Sequence, residues 1–346
     1  MAALLTLCCV LRFPCDDIRL SMRLLFELFT VFGVSIWIWR INKWVSAFLV
    51  LSLVSMVYPF YDRESYLAFL AIFFGIVCYG MIFELFTRET IKYLYNALCV
   101  IVLINLAYLG LQYLNIDPLF VGRDGISKNI PVALMGNRNF ASALLAFGFP
   151  AFMRRGWCWF IPLIIIGLIF TKSTGGVFSV GAGLVAYIIV GGYSLWFLIL
   201  PLCGGLLYCF VDVPNLKLKS DRFQAWYFAL VLFKEHWLMG AGVGHWKVVG
   251  KIKLDVLQSQ WWQCLHNEFL QGLFEMGIGF AVIVGGYFVD VFRKLRKDCL
   301  IPFTALIIIA VNSLVNFPFH IGTTALMAIT WLAVLDVKLQ KGTNDD

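Results

Sequence analysis

Apolar runs of roughly 15–24 residues, split by short polar joints, recur along the whole chain, and each has the length a helix needs to cross a bilayer. We read spans at 22–38, 45–60, 66–86, 94–114, 140–153, 158–171, 175–192, 195–211, 268–291, 300–316 and 322–338. Hydrocarbon offers no partner to a free backbone N–H or C=O, so each run is expected to be helical. The ten-residue alternation of a membrane barrel is absent. Composition agrees: 61% of residues are hydrophobic and 14% are charged, against about 25% charged in soluble domains. A surface that faces lipid does without charge. The expected class is an all-α polytopic membrane bundle of eleven spans. Residues 1–16 are read as a retained, partly inserted twelfth segment, because 1–10 lack a basic n-region and a small-residue cleavage site.

Basic residues fall in alternate joints. One set holds Arg40 and Lys43, Arg88 and Lys92, Arg154 and Arg155, then Arg293, Lys294, Arg296 and Lys297, with Lys338 and Lys341 at the C-terminus. The opposite short joints hold little beyond Arg63 and Lys172. The positive-inside rule places the first set in the cytoplasm. Two polar stretches, 115–139 and 212–267, then face outward, together with all four histidines: His236, His245, His266 and His320. The net charge of +7 is accounted for by this topology, without nucleic acid. No phosphate-binding glycine loop of the nucleotide-binding kinds is present. The ten cysteines are scattered without a CxxC pair, and those in or beside apolar runs (Cys78, Cys99, Cys158, Cys203, Cys209) are read as inert packing thiols.

The stretch 212–267 carries the residues suited to chemistry. Ser220 or Asp221 can cap a helix starting at Arg222. Phe223, Trp226, Tyr227, Leu230 and Phe233 recur at helical spacing, as expected of a helix lying at the membrane interface. Gly240, Gly242 and Gly244 end it in a turn, and His266 and Asn267 stand at the mouth of the next span. Glu275, inside the apolar start of that span, is expected to face inward toward a positive group, with Asn312 and Asn316 facing inward beside it.

The order Arg222, Trp226, Gly240, Gly242, Gly244, His266, Asn267, Leu270, Gln271, Glu275, Gly277 resembles the O-antigen ligase and polymerase family. Two flanking blocks add to it: GNRNFASALLAFGFP at 136–150 and NFPFHIGTTAL at 316–326. The resemblance covers roughly 115–338, which divides the chain into N-terminal helices at 1–114, a ligase-like membrane domain at 115–338 with the outer loop 212–267, and a cytoplasmic tail at 339–346. It implies a GT-C-like fold and a metal-independent enzyme without cofactor in the cytoplasmic membrane, with its active site facing the periplasm. The implied donor is a glycan on undecaprenyl diphosphate. The implied acceptor is lipid A–core for a ligase, and a growing glycan or a protein for relatives of other specificity. His266 is then the general base and Arg222 the partner of the departing diphosphate. Asn137, Arg138, Asn139, Lys172, Asn267, Glu275 and His320 are the implied substrate-binding residues. The family's middle-span arginine is replaced by Thr174, with Lys172 two residues earlier and Arg138 nearby in sequence order as substitutes.

Each residue also has a plainer reading. Arg222 and Lys172 can be interfacial anchors whose stems lie along apolar surface. His266 can be a helix-start residue, His320 can pack in the Phe-Pro-Phe turn, and His236 and His245 are expected at the interface. At the level of the whole chain, a transporter or flippase and an inactive envelope scaffold are the competing classes.

Overall fold

A computed structural model describes residues 30–57, 63–87, 89–119, 130–194, 220–249 and 264–340. The segment 1–16, the run 195–211 and the tail 341–346 lie outside these residues. Among the described residues the protein is all-helical, with no strand. The helices are α1 (Thr30–Ile41), α2 (Lys43–Val57), α3 (Arg63–Leu85), α4 (Ile91–Tyr113), α5 (Arg138–Phe152), α6 (Ile161–Phe170), α7 (Thr174–Val190), α8 (Ser220–Glu235), α9 (Glu268–Met276), α10 (Ile278–Lys294), α11 (Leu300–Ser313) and α12 (Gly322–Gln340).

The sequence of α5 explains its place at the centre. It is apolar on every side, and a helix of that kind must be buried all round. Every residue from Ala141 through Phe152 is buried. Neighbouring helices approach it through small residues, as membrane helices do. Gly148 lies against Val102 of α4, and Gly176 of α7 lies against Ser142; a Cβ at either would come within 2.0 Å and 1.9 Å of its neighbour. Gly183 of α7 fits against Ile308 of α11 in the same way. Trp331 of α12 donates its indole N–H to the carbonyl of Phe147 at 2.7 Å, which fixes α12 on α5.

α3, α4 and α12 are long and apolar enough to span a membrane, while α1, α2, α6 and α7 are apolar but shorter. Large apolar side chains stay exposed along these helices, including Phe74, Met81, Ile101, Ile104, Ile165 and Ile169. Apolar surface of that extent calls for lipid or a partner. The chain is an all-helical membrane protein.

Two expectations need correction. The run 268–291 is not one helix: it divides into α9 and α10 at Gly277, whose φ of +69° is a left-handed conformation favoured by glycine. The helix expected from Arg222 starts earlier, at Ser220, and its packed face is the small one. Ala225, Ala229 and Leu232 are buried, whereas Phe223, Tyr227 and Leu230 point outward and are about half exposed.

The two ends of the bundle differ. At one, the basic joints converge: Arg154 reaches Asn96 and the carbonyl of Lys92, Arg296 donates to the carbonyl of Lys338, and Gln340 donates to the carbonyl of Ile41. At the other end lie the first turns of α5, α7, α9 and α12 and the chain leaving α11.

Candidate active site

The second end gathers most of the residues singled out in the sequence. Asn137 caps α5, its side-chain oxygen accepting from the N–H of Asn139 at 2.7 Å. Asn139 in turn accepts from the Ser173 hydroxyl at 2.9 Å, joining α5 to the start of α7. Gly175 of α7 lies on Asn316, and Asn316 donates to Asn312 at 3.3 Å, with both asparagines buried. Phe317 is the hub. Its ring packs edge-on against Phe140 of α5, with centroids 5.4 Å apart, and against His266, with centroids 4.5 Å apart.

Asn267 caps α9, accepting from the N–H of Leu270 at 3.0 Å. His266 just before it is buried and has a φ of +54°. A left-handed conformation costs a non-glycine residue about 1–2 kcal/mol. It persists because the cap on one side and the Leu265 contacts on the other fix the chain. The Leu265 N–H is taken by Gln271 at 3.0 Å and its carbonyl by the Trp226 indole at 2.7 Å.

Arg222 of α8 reaches the same place from outside, donating from a terminal guanidinium nitrogen to the carbonyl of Val315 at 3.2 Å. Its Nε is buried with no hydrogen-bond partner among the described residues. Burial, and next the charge of Arg138, push its pKa down. The site therefore holds two like-charged guanidiniums close enough to repel, and Arg222 has no carboxylate in salt-bridge range among the described residues. Lys172 stands beside Ser173 at the rim. It is exposed, its φ is +49°, and its ammonium has no hydrogen bond or ion pair among the described residues. No side-chain contact joins it to Arg222 or His266.

Glu275 is buried as expected, and the positive group near it is His320, one Gln271 amide away, while its direct partners are N–H groups. Its carboxylate accepts from the backbone N–H of Gly244 at 2.9 Å and of Trp246 at 3.4 Å, and from the Gln271 amide at 3.0 Å. The three glycines make this possible: Gly240, Gly242 and Gly244 have φ of +77°, +105° and +78°. The turn they form lies on the end of α9, where Ala241 and Gly242 donate to the carbonyls of Phe274 and Glu275. A Cβ on Gly240 would sit 2.3 Å from the Glu275 carbonyl oxygen. Gly240→Ala should therefore lower the unfolding midpoint by more than the 1–2 kcal/mol of a left-handed alanine alone. Gly285→Ala, on an open face of α10, should leave it unchanged or higher. Thermal unfolding in detergent reads both, and equal midpoints would refute the packing described.

His245 is a further correction. It is buried, not interfacial, and shares a 2.9 Å hydrogen bond with Ser65 of α3. Lys247 adds an ion pair to Glu64 at 2.8 Å. His236 is exposed.

His320 ends a polar chain that was not legible beforehand. Gln271 must present its oxygen to the Leu265 N–H, so its amide nitrogen faces both Glu275 and His320 Nε2, the latter at 3.2 Å. On the other side His320 Nδ1 lies 3.2 Å from Glu268, which also accepts from the Phe319 N–H at 2.9 Å. The Nδ1–H then points at Glu268 whether the ring is neutral or charged. Partial burial lowers the His320 pKa, but Glu268, and more distantly Glu275, outweigh it and push it up to about 9. Because the folded value is raised, the pair's stabilisation is fully present below about pH 6.5 and is lost as pH rises through about 9. The midpoint difference between wild type and His320→Gln should shrink between pH 7 and 10. A difference independent of pH would refute the ion pair.

Among the described residues, no group of three or more His, Cys, Asp or Glu is placed to hold a metal ion. The chain matches no protein-family model and no curated protein by sequence.

Proposed function

We propose that this protein is a GT-C-like membrane glycosyltransferase of the O-antigen ligase and polymerase kind, with eleven or twelve spans in the cytoplasmic membrane. It moves a glycan from undecaprenyl diphosphate to an acceptor on the periplasmic side. Ligase-type transfer to lipid A–core is the leading form, and a growing glycan or a protein is the alternative acceptor. One observation carries the reading: the part-buried Arg222, with an unpartnered Nε and Arg138 as a like-charged neighbour, holds the Val315 carbonyl two residues from Phe317, on whose ring the buried His266 packs. A part-buried guanidinium with an unpartnered Nε and a second cation nearby suits a bound anion, and a guanidinium grips a diphosphate through paired N–H groups. A histidine beside them can take the proton from an acceptor hydroxyl as the sugar carbon leaves the diphosphate oxygen. Asn139 and Asn267 spend side-chain oxygens on the Ser173 hydroxyl and the α9 cap, which turns their amide N–H groups to a glycan, while Asn137 caps α5 beside them. Lys172 adds charge at the rim.

Transport would need ionisable groups along a mid-depth path. The buried Asp336 instead lies near the basic end of α12, held by Tyr79 at 2.5 Å and Asn42 at 2.9 Å.

The direct test is purified full-length protein with an undecaprenyl-diphosphate glycan and candidate acceptors, followed by gel or mass spectrometry. Transfer to lipid A–core is expected; absence of transfer to every class of acceptor would sink the proposal. Orientation has its own test, on a background stripped of native thiols. A membrane-impermeant reagent applied to intact cells should label Gln258→Cys and spare Lys297→Cys. The reverse would put the site on the wrong side of the membrane.

A further inference from the structure

The basic end of the bundle holds a cavity of about 580 Å³, within the range of small-ligand sites, far from the candidate active site. Its lining includes Trp39, Asn42, Lys43, Asp290, Lys294 and Arg296. Three elements meet there. α1 breaks into α2 at Asn42, whose side-chain oxygen accepts from the N–H groups of Trp44 at 2.9 Å and Val45 at 3.3 Å. The positive start of α2 thus opens on the cavity with Lys43 beside it. The end of α10 supplies Asp290 and Lys294, which pair one turn apart at 2.8 Å. Arg296 follows in an extended stretch, held by the Lys338 carbonyl at 2.5 Å and by Asp298 at 3.5 Å.

These walls are cross-braced. Lys338 donates back to the Asp298 carbonyl at 2.7 Å, Gln340 donates to the Ile41 carbonyl at 2.5 Å, and Asn42 donates to the buried Asp336 at 2.9 Å. A site held this way does not need to fold around its ligand. Three cations line it against one carboxylate, and Lys294 and Arg296 keep 47% and 36% of their side chains exposed. Trp39 is 60% exposed, and its ring belongs to the type enriched where headgroups meet hydrocarbon. A soluble anion would have no use for that ring, whereas a lipid presents phosphate and glycerol to the cations and its chains to the exposed apolar helix faces.

From this we infer that the cavity binds the phosphate headgroup of an anionic phospholipid. The inference rests on the membrane setting and not on glycosyl transfer.

Native mass spectrometry of the full-length protein in detergent tests it, with phosphatidylglycerol, phosphatidylcholine and inorganic phosphate as probes. Each basic residue near a headgroup is worth about five-fold in affinity. The wild type should prefer phosphatidylglycerol over phosphatidylcholine by about ten-fold or more, and an equal concentration of inorganic phosphate should not displace it. Lys43→Gln with Lys294→Gln should erase the preference, while Lys294→Arg keeps it. Arg293→Gln removes a charge one residue away that does not line the cavity, and should also keep it. Should the double variant unfold, Lys43→Gln alone should cut the preference about five-fold. Three results would each overturn the inference: preference retained without the two lysines, equal loss on removing Arg293, or displacement by inorganic phosphate.

Discussion

His266→Ala is expected to lower glycan transfer by about 10²–10⁴-fold, the usual worth of a positioned general base. The protein should still insert and purify at the wild-type level. His266 occupies a left-handed position that an alanine holds no better, and the alanine also loses packing on Phe317. That contribution can be separated. Phe317→Leu removes the ring contact and keeps the imidazole, and should cost far less activity than His266→Ala. His266→Gly relieves the backbone and removes the imidazole, so it should be as inactive as the alanine variant, with equal or greater stability. His320→Ala should be milder than either, because His320 contacts Gln271 and Glu268 and not the arginine pair. Transfer at the wild-type rate in both His266 variants would remove the general base from the proposal. Equal loss in Phe317→Leu would make His266 a packing residue.

Much of this arrangement could be read from the sequence, and the parts that could not share a cause. Within the described residues, the apolar runs form helices because length and hydrophobicity are local properties that a bilayer reads directly. Asn137 and Asn267 cap where an asparagine before an apolar run should cap. The glycine turn was legible because three glycines in alternation favour positive φ. The break at Gly277 was hidden, since its neighbours are as apolar as the rest of the run. What ends α9 there comes from elsewhere in the chain: the backbone N–H groups of Ala241 and Gly242 take the carbonyls of Phe274 and Glu275, and the hydroxyl of the still more distant Ser55 also donates to the Glu275 carbonyl. The direct partners of Glu275 were hidden for the same reason. A buried carboxylate suggests a cation, but backbone N–H groups from a distant turn satisfy it equally, and side-chain identity carries no trace of them. His245 was placed at the interface because its partner, Ser65, is 180 residues earlier. The exposed large face of α8 shows the limit of a helical stripe, which marks an apolar face without saying whether protein or lipid covers it.

Arg222→Ala is expected to reduce transfer by about 10²–10³-fold, the cost of losing a donor aimed at charge that develops in the transition state. Arg222→Lys should recover part of that, since lysine restores the charge without the planar fork. The geometry separates this role from anchoring. As an anchor, Arg222 would matter for insertion, and its loss would lower protein yield along with activity. As a ligand for diphosphate, it is held at a site that its own neighbour disfavours, because Arg138 repels it and its Nε is buried without a partner. Removing it should then leave stability unchanged or raise it while activity falls. Arg138→Ala should lower transfer as well, and the two losses should not add if both arginines grip one diphosphate. Lys172, exposed and without a side-chain bond to the pair, serves as the comparison. Lys172→Ala should cost about 30-fold or less, and Lys172→Arg should retain activity. A fall in yield that matches the fall in transfer, or losses at Arg222 and Arg138 that add independently, would replace the shared diphosphate site with two unrelated surface arginines.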